Sequence, residues 1–182
     1  GGSHSLALRS DGRVVAWGAN WFGQCDVPSD ASNGVVAIAG GNYHSLALRS
    51  DGRVVAWGRN DLYGQCNVPS DATNNVVAIA GGWGHSLALR SDGRVVAWGF
   101  NGNGQCDVPS DATNNVIAIA SGGSHSLALR SDGRVVAWGA NWSGQCDVPS
   151  DATNNVIAIA GSSSHSLALR QEVILSTNWY GT

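Results

Sequence analysis

Large and small side chains alternate along short stretches of this chain, and the stretches return at regular intervals. In His85-Ser86-Leu87-Ala88-Leu89-Arg90, Leu87 and Leu89 fall on one face, Ser86 and Ala88 on the other. A period of two is the mark of a strand, whose successive side chains point to opposite faces. Just before it, Val76-Val77-Ala78-Ile79-Ala80 is a β-branched run ending at the loop Gly81 to Gly84. Just after it, Ser91-Asp92-Gly93-Arg94 carries the Asp-Gly pair of a tight hairpin, and Val95-Val96-Ala97-Trp98-Gly99 reads as the next strand. A variable loop then leads to Gly104-Gln105-Cys106-Asp107-Val108-Pro109, read as a short final strand. Its proline suits an edge, because it has no N–H for a ladder. Ser110 to Asn115 turn the chain into the next unit. No window has a helical period.

The whole pattern repeats. His-Ser-Leu-Ala-Leu-Arg begins at His4, His44, His85, His125 and His165, in steps of 40, 41, 40 and 40 residues. Four antiparallel strands in about 40 residues make one blade of a β-propeller. The expected fold is therefore all-β: one propeller array over residues 1–182, with four full copies and a C-terminal partial copy. A face of leucines against a face of alanine and serine fits blades that pack face to face. The chain starts at a second strand (His4 to Arg9). It ends with a first strand (Val156 to Ala160), a second (His165 to Arg170) and a divergent third, Glu172 to Trp179. Because an unpaired strand edge is a liability, a homodimer is expected. In it two chains close one ring of about eight blades, each C-terminal first strand completing the partner's N-terminal blade.

The repeats act as an internal control. What is identical in every copy serves the scaffold, so function is sought where the copies differ. Trp17, Trp57, Trp98 and Trp138 share one context and are assigned to blade packing. A histidine in every copy argues for structural, hydrogen-bonded rings rather than for one catalytic site. Asn20, Asn60, Asn101 and Asn141 are expected to satisfy backbone groups of their loops. Cys25, Cys66, Cys106 and Cys146 sit at one equivalent position each, normally too far apart for disulfides, and read as free, mostly buried thiols filling a small apolar site, with a disulfide ladder or metal site as the minority reading. No Cys-x-x-Cys pair suggests zinc, and Ser-Asp-Gly lacks the spaced oxygens of a calcium loop. No metal, cofactor or catalytic residue is assigned, and the chain is not expected to be an enzyme.

Variation concentrates in two loops, the one before the histidine and the one after Trp-Gly. In an antiparallel meander the first and third connections leave on one face. The variable loops thus share a face, which carries Trp21, Phe22, Tyr43, Arg59, Asp61, Leu62, Tyr63, Trp83, Phe100, Asn103 and Trp142. Aromatic residues on the loops of a rigid scaffold suit recognition of a protein or, in a second reading, a sugar. The alternative is that some of them pack on one another. Net charge is −3, spread evenly, with no basic stripe for nucleic acid. No apolar stretch approaches the roughly 20 residues that span a membrane.

The motif Ala-Gly-Gly-x-x-His-Ser-Leu-Ala-Leu, followed by Asp-Gly-x-Val-x-Ala-Trp-Gly-x-Asn-x-x-Gly-Gln, resembles the repeat of the regulator of chromosome condensation family. The short period and the Val-Pro after Gly-Gln look most like its bacterial branch of propeller-type β-lactamase inhibitory proteins. The resemblance implies a binding scaffold, usually of seven blades, that meets its partner through such aromatic loops. It also implies a bacterial, secreted setting. Four full copies and a remnant depart from that pattern, and a third reading is an excised or engineered propeller fragment without activity of its own.

Overall fold

The computed structural model describes residues 1–171, so the divergent third strand expected at Glu172 to Trp179 lies outside the described residues. Among the described residues, thirteen strands form five small antiparallel sheets. The first is a hairpin of β1 (His4–Leu8) and β2 (Val14–Gly18). Three complete blades follow. They are β3 (Val35–Gly40), β4 (His44–Arg49) and β5 (Val54–Gly58); then β6 (Val76–Gly81), β7 (His85–Arg90) and β8 (Val95–Gly99); then β9 (Val116–Ser121), β10 (His125–Arg130) and β11 (Val135–Gly139). A last hairpin joins β12 (Val156–Gly161) to β13 (Ser166–Arg170). The fold is all-β and built of repeated blades, and the described residues do not close a ring.

The blades have three strands, not the expected four. The stretch Gly104 to Pro109 forms no ladder because its amides are used locally. The Cys106 N–H is taken by the Asn101 carboxamide oxygen at 2.8 Å, and the Asp107 N–H by the Gly104 carbonyl at 3.0 Å. Val108 N–H goes to the Cys106 carbonyl, Pro109 has no donor, and Ser110–Ala112 then form a 3-10 turn. The same happens in the other copies.

Blade packing follows the large-against-small alternation. Leu46 and Leu48 of β4, both nearly inaccessible, meet Ala88 of β7 and the indole of Trp98 in one cluster. Leu87 and Leu89 meet Ala128 and Trp138 in the next. Each indole is also fixed by a hydrogen bond across the blade boundary. Trp57, Trp98 and Trp138 donate Nε1–H to the backbone carbonyls of Gln24, Gln65 and Gln105 at 2.9–3.0 Å. Trp17 departs from its expected burial. It is 53% exposed where its three counterparts are 7–8% exposed, because no blade precedes β1–β2 among the described residues.

A β-bulge recurs at the start of every first strand. Val35 pairs with Arg49 and Ala37 with Leu48, so Val36 is left out of the ladder. Val36, Val77, Ile117 and Ile157 are accordingly exposed, a row of apolar side chains that simple alternation does not predict.

Candidate functional site

The histidines build the frame on which the loops stand. Ser45 donates its hydroxyl proton to the Gln24 carbonyl at 2.8 Å, so its oxygen must accept from the His4 ring 2.8 Å away. The same relay joins His44 to Ser86 and His85 to Ser126, with Gln65 and Gln105 as acceptors. Each ring is thus the Nε2–H tautomer, and its bare Nδ1 is buried without a partner among the described residues. Burial pushes His44 down to about 3 and His85 to about 4, the neighbouring histidines adding to the effect on His44. These are neutral structural rings. Backbone comes so close that a Cβ at Gly41, Gly82 or Gly122 would strike the His44, His85 or His125 ring, which accounts for the glycines that precede each histidine.

The registers place both variable loops at one end of each sheet. His44 faces Gly58 across β4 and β5, so the connection into β4 and the connection out of β5 leave side by side. Leu48 faces Val54 at the other end, where the Asp-Gly hairpin lies. The outgoing loop is held from within. Asn101 accepts from Cys106 N–H and donates to Asp107 at 2.7 Å; Asn20, Asn60 and Asn141 do the same with their own partners. The four cysteines are free, and each thiol donates to a loop carbonyl, that of Ala19, Arg59, Phe100 or Ala140, at 3.2–3.3 Å. Their site is therefore half-buried and polar at the sulfur, not the apolar niche expected. Burial pushes the Cys66 and Cys106 thiols up to about 12, so they are poor nucleophiles.

Most of the candidate residues sit between blades, and they form two clusters. Phe22 and Tyr43 have ring centroids 5.2 Å apart, with the Arg59 guanidinium 4.6 Å over Phe22. Asp61 holds that guanidinium at 2.9 Å. One blade further, Tyr63 lies 4.7 Å from Phe100 and 5.6 Å from Trp83. Gly84 stands where the preceding copy has Tyr43, and the space is used: a Cβ there would come within 3.2 Å of both Phe100 and Tyr63. At the third boundary the equivalent positions are Asn103, Ser124 and Ala140, and the aromatic lining ends. Asn103 is half-buried, its N–H bound to the Gln105 side chain. Trp21 and Trp142 belong to neither cluster and are 74% and 77% exposed; Leu62 is exposed as well. The face thus has packed inter-blade patches and two standing indoles. The exposed row of Val36, Val77, Ile117 and Ile157 was missed; paired β-branched residues opening each first strand were its only signal.

The repeat motif recurs in known proteins. The regulator of chromosome condensation (RCC1) repeat matches residues 1–24, 35–65, 76–105 and 116–145. This chain belongs to the RCC1 repeat family. No curated protein matches it in sequence. Among solved structures it is similar to Prp20p from Saccharomyces cerevisiae, studied for its binding to Gsp1p and histones. The two are 27% identical with a TM-score of 0.74, over 94% of this chain and 54% of that one. It is similar at 28% identity and the same TM-score to yeast RCC1 (Prp20) bound to Kap60, covering 94% of this chain and 52% of that one. Human WBSCR16 shares the fold at 21% identity and a TM-score of 0.71, over 93% and 56% of the chains. The chain spans about half the length of these proteins. The narrower likeness to bacterial β-lactamase inhibitory proteins finds no support in these matches, which point to RCC1 propellers at large.

Proposed function

We propose that this chain is a non-catalytic scaffold that binds a protein partner through the loop face carrying Trp21, Phe22, Tyr43, Trp83 and Trp142. The observation that carries the reading is the pair of standing indoles, Trp21 and Trp142, on asparagine-braced loops beside two aromatic patches. An indole on a braced loop has few rotatable bonds to fix on binding and covers much area, which is why tryptophan dominates interface energetics. The binding of the yeast relative Prp20p to Gsp1p and histones lends support to a protein partner. The four Asp-Gly turns at the other end are nearly identical and offer less to discriminate with.

The test is calorimetric titration of the chain with a Gsp1p-type GTPase and with core histones, followed by W21A and W142A. For the partner that binds, each substitution should weaken binding at least about tenfold, whereas Val77→Ser on the exposed apolar row should leave it unchanged. Binding that ignores both indoles contradicts the reading. Sugar binding is the second reading, favoured by the same unstacked indoles. Binding to a glycan array with a stoichiometry that follows the repeats would replace the protein reading with it.

A further inference from the structure

The two end faces of the described array are complementary halves of its internal blade boundary. At an internal boundary one copy supplies a histidine, a Gln carbonyl and an apolar bed, and the next supplies a serine and an indole. Trp98, for example, packs in a cluster with Leu46, Val54, Ala56, Val68 and Ala72. Two repeats on, the equivalents Leu127, Val135, Ala137, Val148 and Ala152 line a cavity of about 310 Å3 beside β13. The Gln145 carbonyl at that cavity accepts from Ser166 at 2.8 Å, and no indole reaches it among the described residues. At the other end Ser5 and Trp17, the missing serine and indole, are exposed on β1–β2.

β13 holds the position a foreign strand could take. Its Ser166-Leu167-Ala168-Leu169-Arg170 is identical to Ser5-Leu6-Ala7-Leu8-Arg9. It pairs with β12 in the register Gly161 to Ser166 and Ala160 to Leu167, as second strands do throughout the array. Yet it buries little: Leu167 and Leu169 are each 60% exposed, where their counterparts in the complete blades are at most 3% exposed. β1, for its part, pairs only with β2 and leaves free the edge that β4, β7 and β10 give to a first strand.

We propose that two copies of this chain assemble by strand exchange. The β1–β2 hairpin of one copy displaces β13 of the other and completes a three-stranded blade on β12. Every β12 ladder bond lost to β13 is regained with β1. His125 keeps a serine acceptor in Ser5, and Gln145 keeps a serine donor. Trp17 enters the cavity and donates to the Gln145 carbonyl, as Trp57, Trp98 and Trp138 do to theirs. The gain is the burial of one indole per junction. The occupant is a second copy rather than the chain's own other end, because β1 and β12 of the single chain lie in separate sheets and do not pair, and two copies exchanging hairpins satisfy both ends by symmetry. This proposal is independent of what the loop face binds.

The experiment is native mass spectrometry and sedimentation of the chain at micromolar concentration. Twice the 18.7 kDa chain mass is expected. Trp17→Ala, a change at an exposed side chain that leaves the single chain's packing intact, should raise the dimer dissociation constant at least about tenfold, and Trp21→Ala should not. Ending the chain after Gly161 removes β13 and should keep the dimer and tighten it, since nothing then has to be displaced. A mass of one chain, a mass above two chains, indifference to Trp17→Ala, or loss of the dimer on ending at Gly161 would each overturn the proposal.

Discussion

The buried histidines show how much one residue can hold. His44 and His85 are legible in the sequence only as repeated, and therefore structural; their tautomer comes from the serine hydroxyl, whose single proton is already given to a carbonyl. Their acid response follows from burial. The folded rings stay neutral down to about 3 and about 4, while in the unfolded chain they bind a proton below about 6.5. The unfolded state therefore holds more protons as pH falls, so stability is complete above pH 6.5 and is lost on acidification. Each ring should cost about 1.4 kcal/mol per pH unit between roughly pH 6 and 4.5. Urea denaturation across that range checks this, with His85→Gln expected to lower the slope by one ring's share, since burial lowers His4 and His125 as well. Stability that is flat from pH 6.5 to 4.5 contradicts the neutral-ring account. The exposed aspartates of the hairpin turns, such as Asp51 and Asp92, have pKa values lowered by the Arg53 and Arg94 backbone amides and act in the same direction only at more acidic pH.

At the scale of elements, the three main strands and the Asp-Gly hairpin were readable because alternation and turn chemistry are local. The fourth strand was not, and the reason is again local. Val108-Pro109 looks extended, but an asparagine side chain five residues before Cys106 takes the amide a ladder would need. The bulge was hidden for another reason: whether Val36 or Val35 pairs depends on the partner strand. The inter-repeat turn explains one substitution between copies. Asn75, Asn115 and Asn155 lie at φ 54–55°, and the first copy has Gly34 there at φ 65°. Asn115→Gly should thus change stability by no more than about 0.5 kcal/mol. Gly93→Ala should cost more than about 1 kcal/mol, because Gly93 has φ 80° and a Cβ would lie 2.8 Å from the Asn115 nitrogen. Thermal melts of the two variants decide it. An equal response from both would mean that the hairpin and the inter-repeat turn do not touch as described.

For the molecule as a whole, repetition separates what holds the blades together from what is free to vary. Identity between copies correctly marked Trp57, Trp98 and Trp138 as buried. It failed for Trp17, because burial there needs a neighbouring blade and not only the right motif. Divergence marked Trp21 and Trp142, which stand exposed, but it could not tell them from Tyr63 and Phe100, which pack on each other across a blade boundary. Pairing of that kind depends on neighbouring repeats, and no single copy contains it. The most direct measurement of this division is equilibrium denaturation of two alanine variants side by side. Trp98→Ala should lose about 3–5 kcal/mol, since it empties a packed boundary and strips a carbonyl of its donor. Trp142→Ala should stay within about 0.5 kcal/mol of the parent. A loss at Trp142 comparable to that at Trp98 would contradict the account, because the loop tryptophans would then be part of the scaffold and not a surface kept free for a partner.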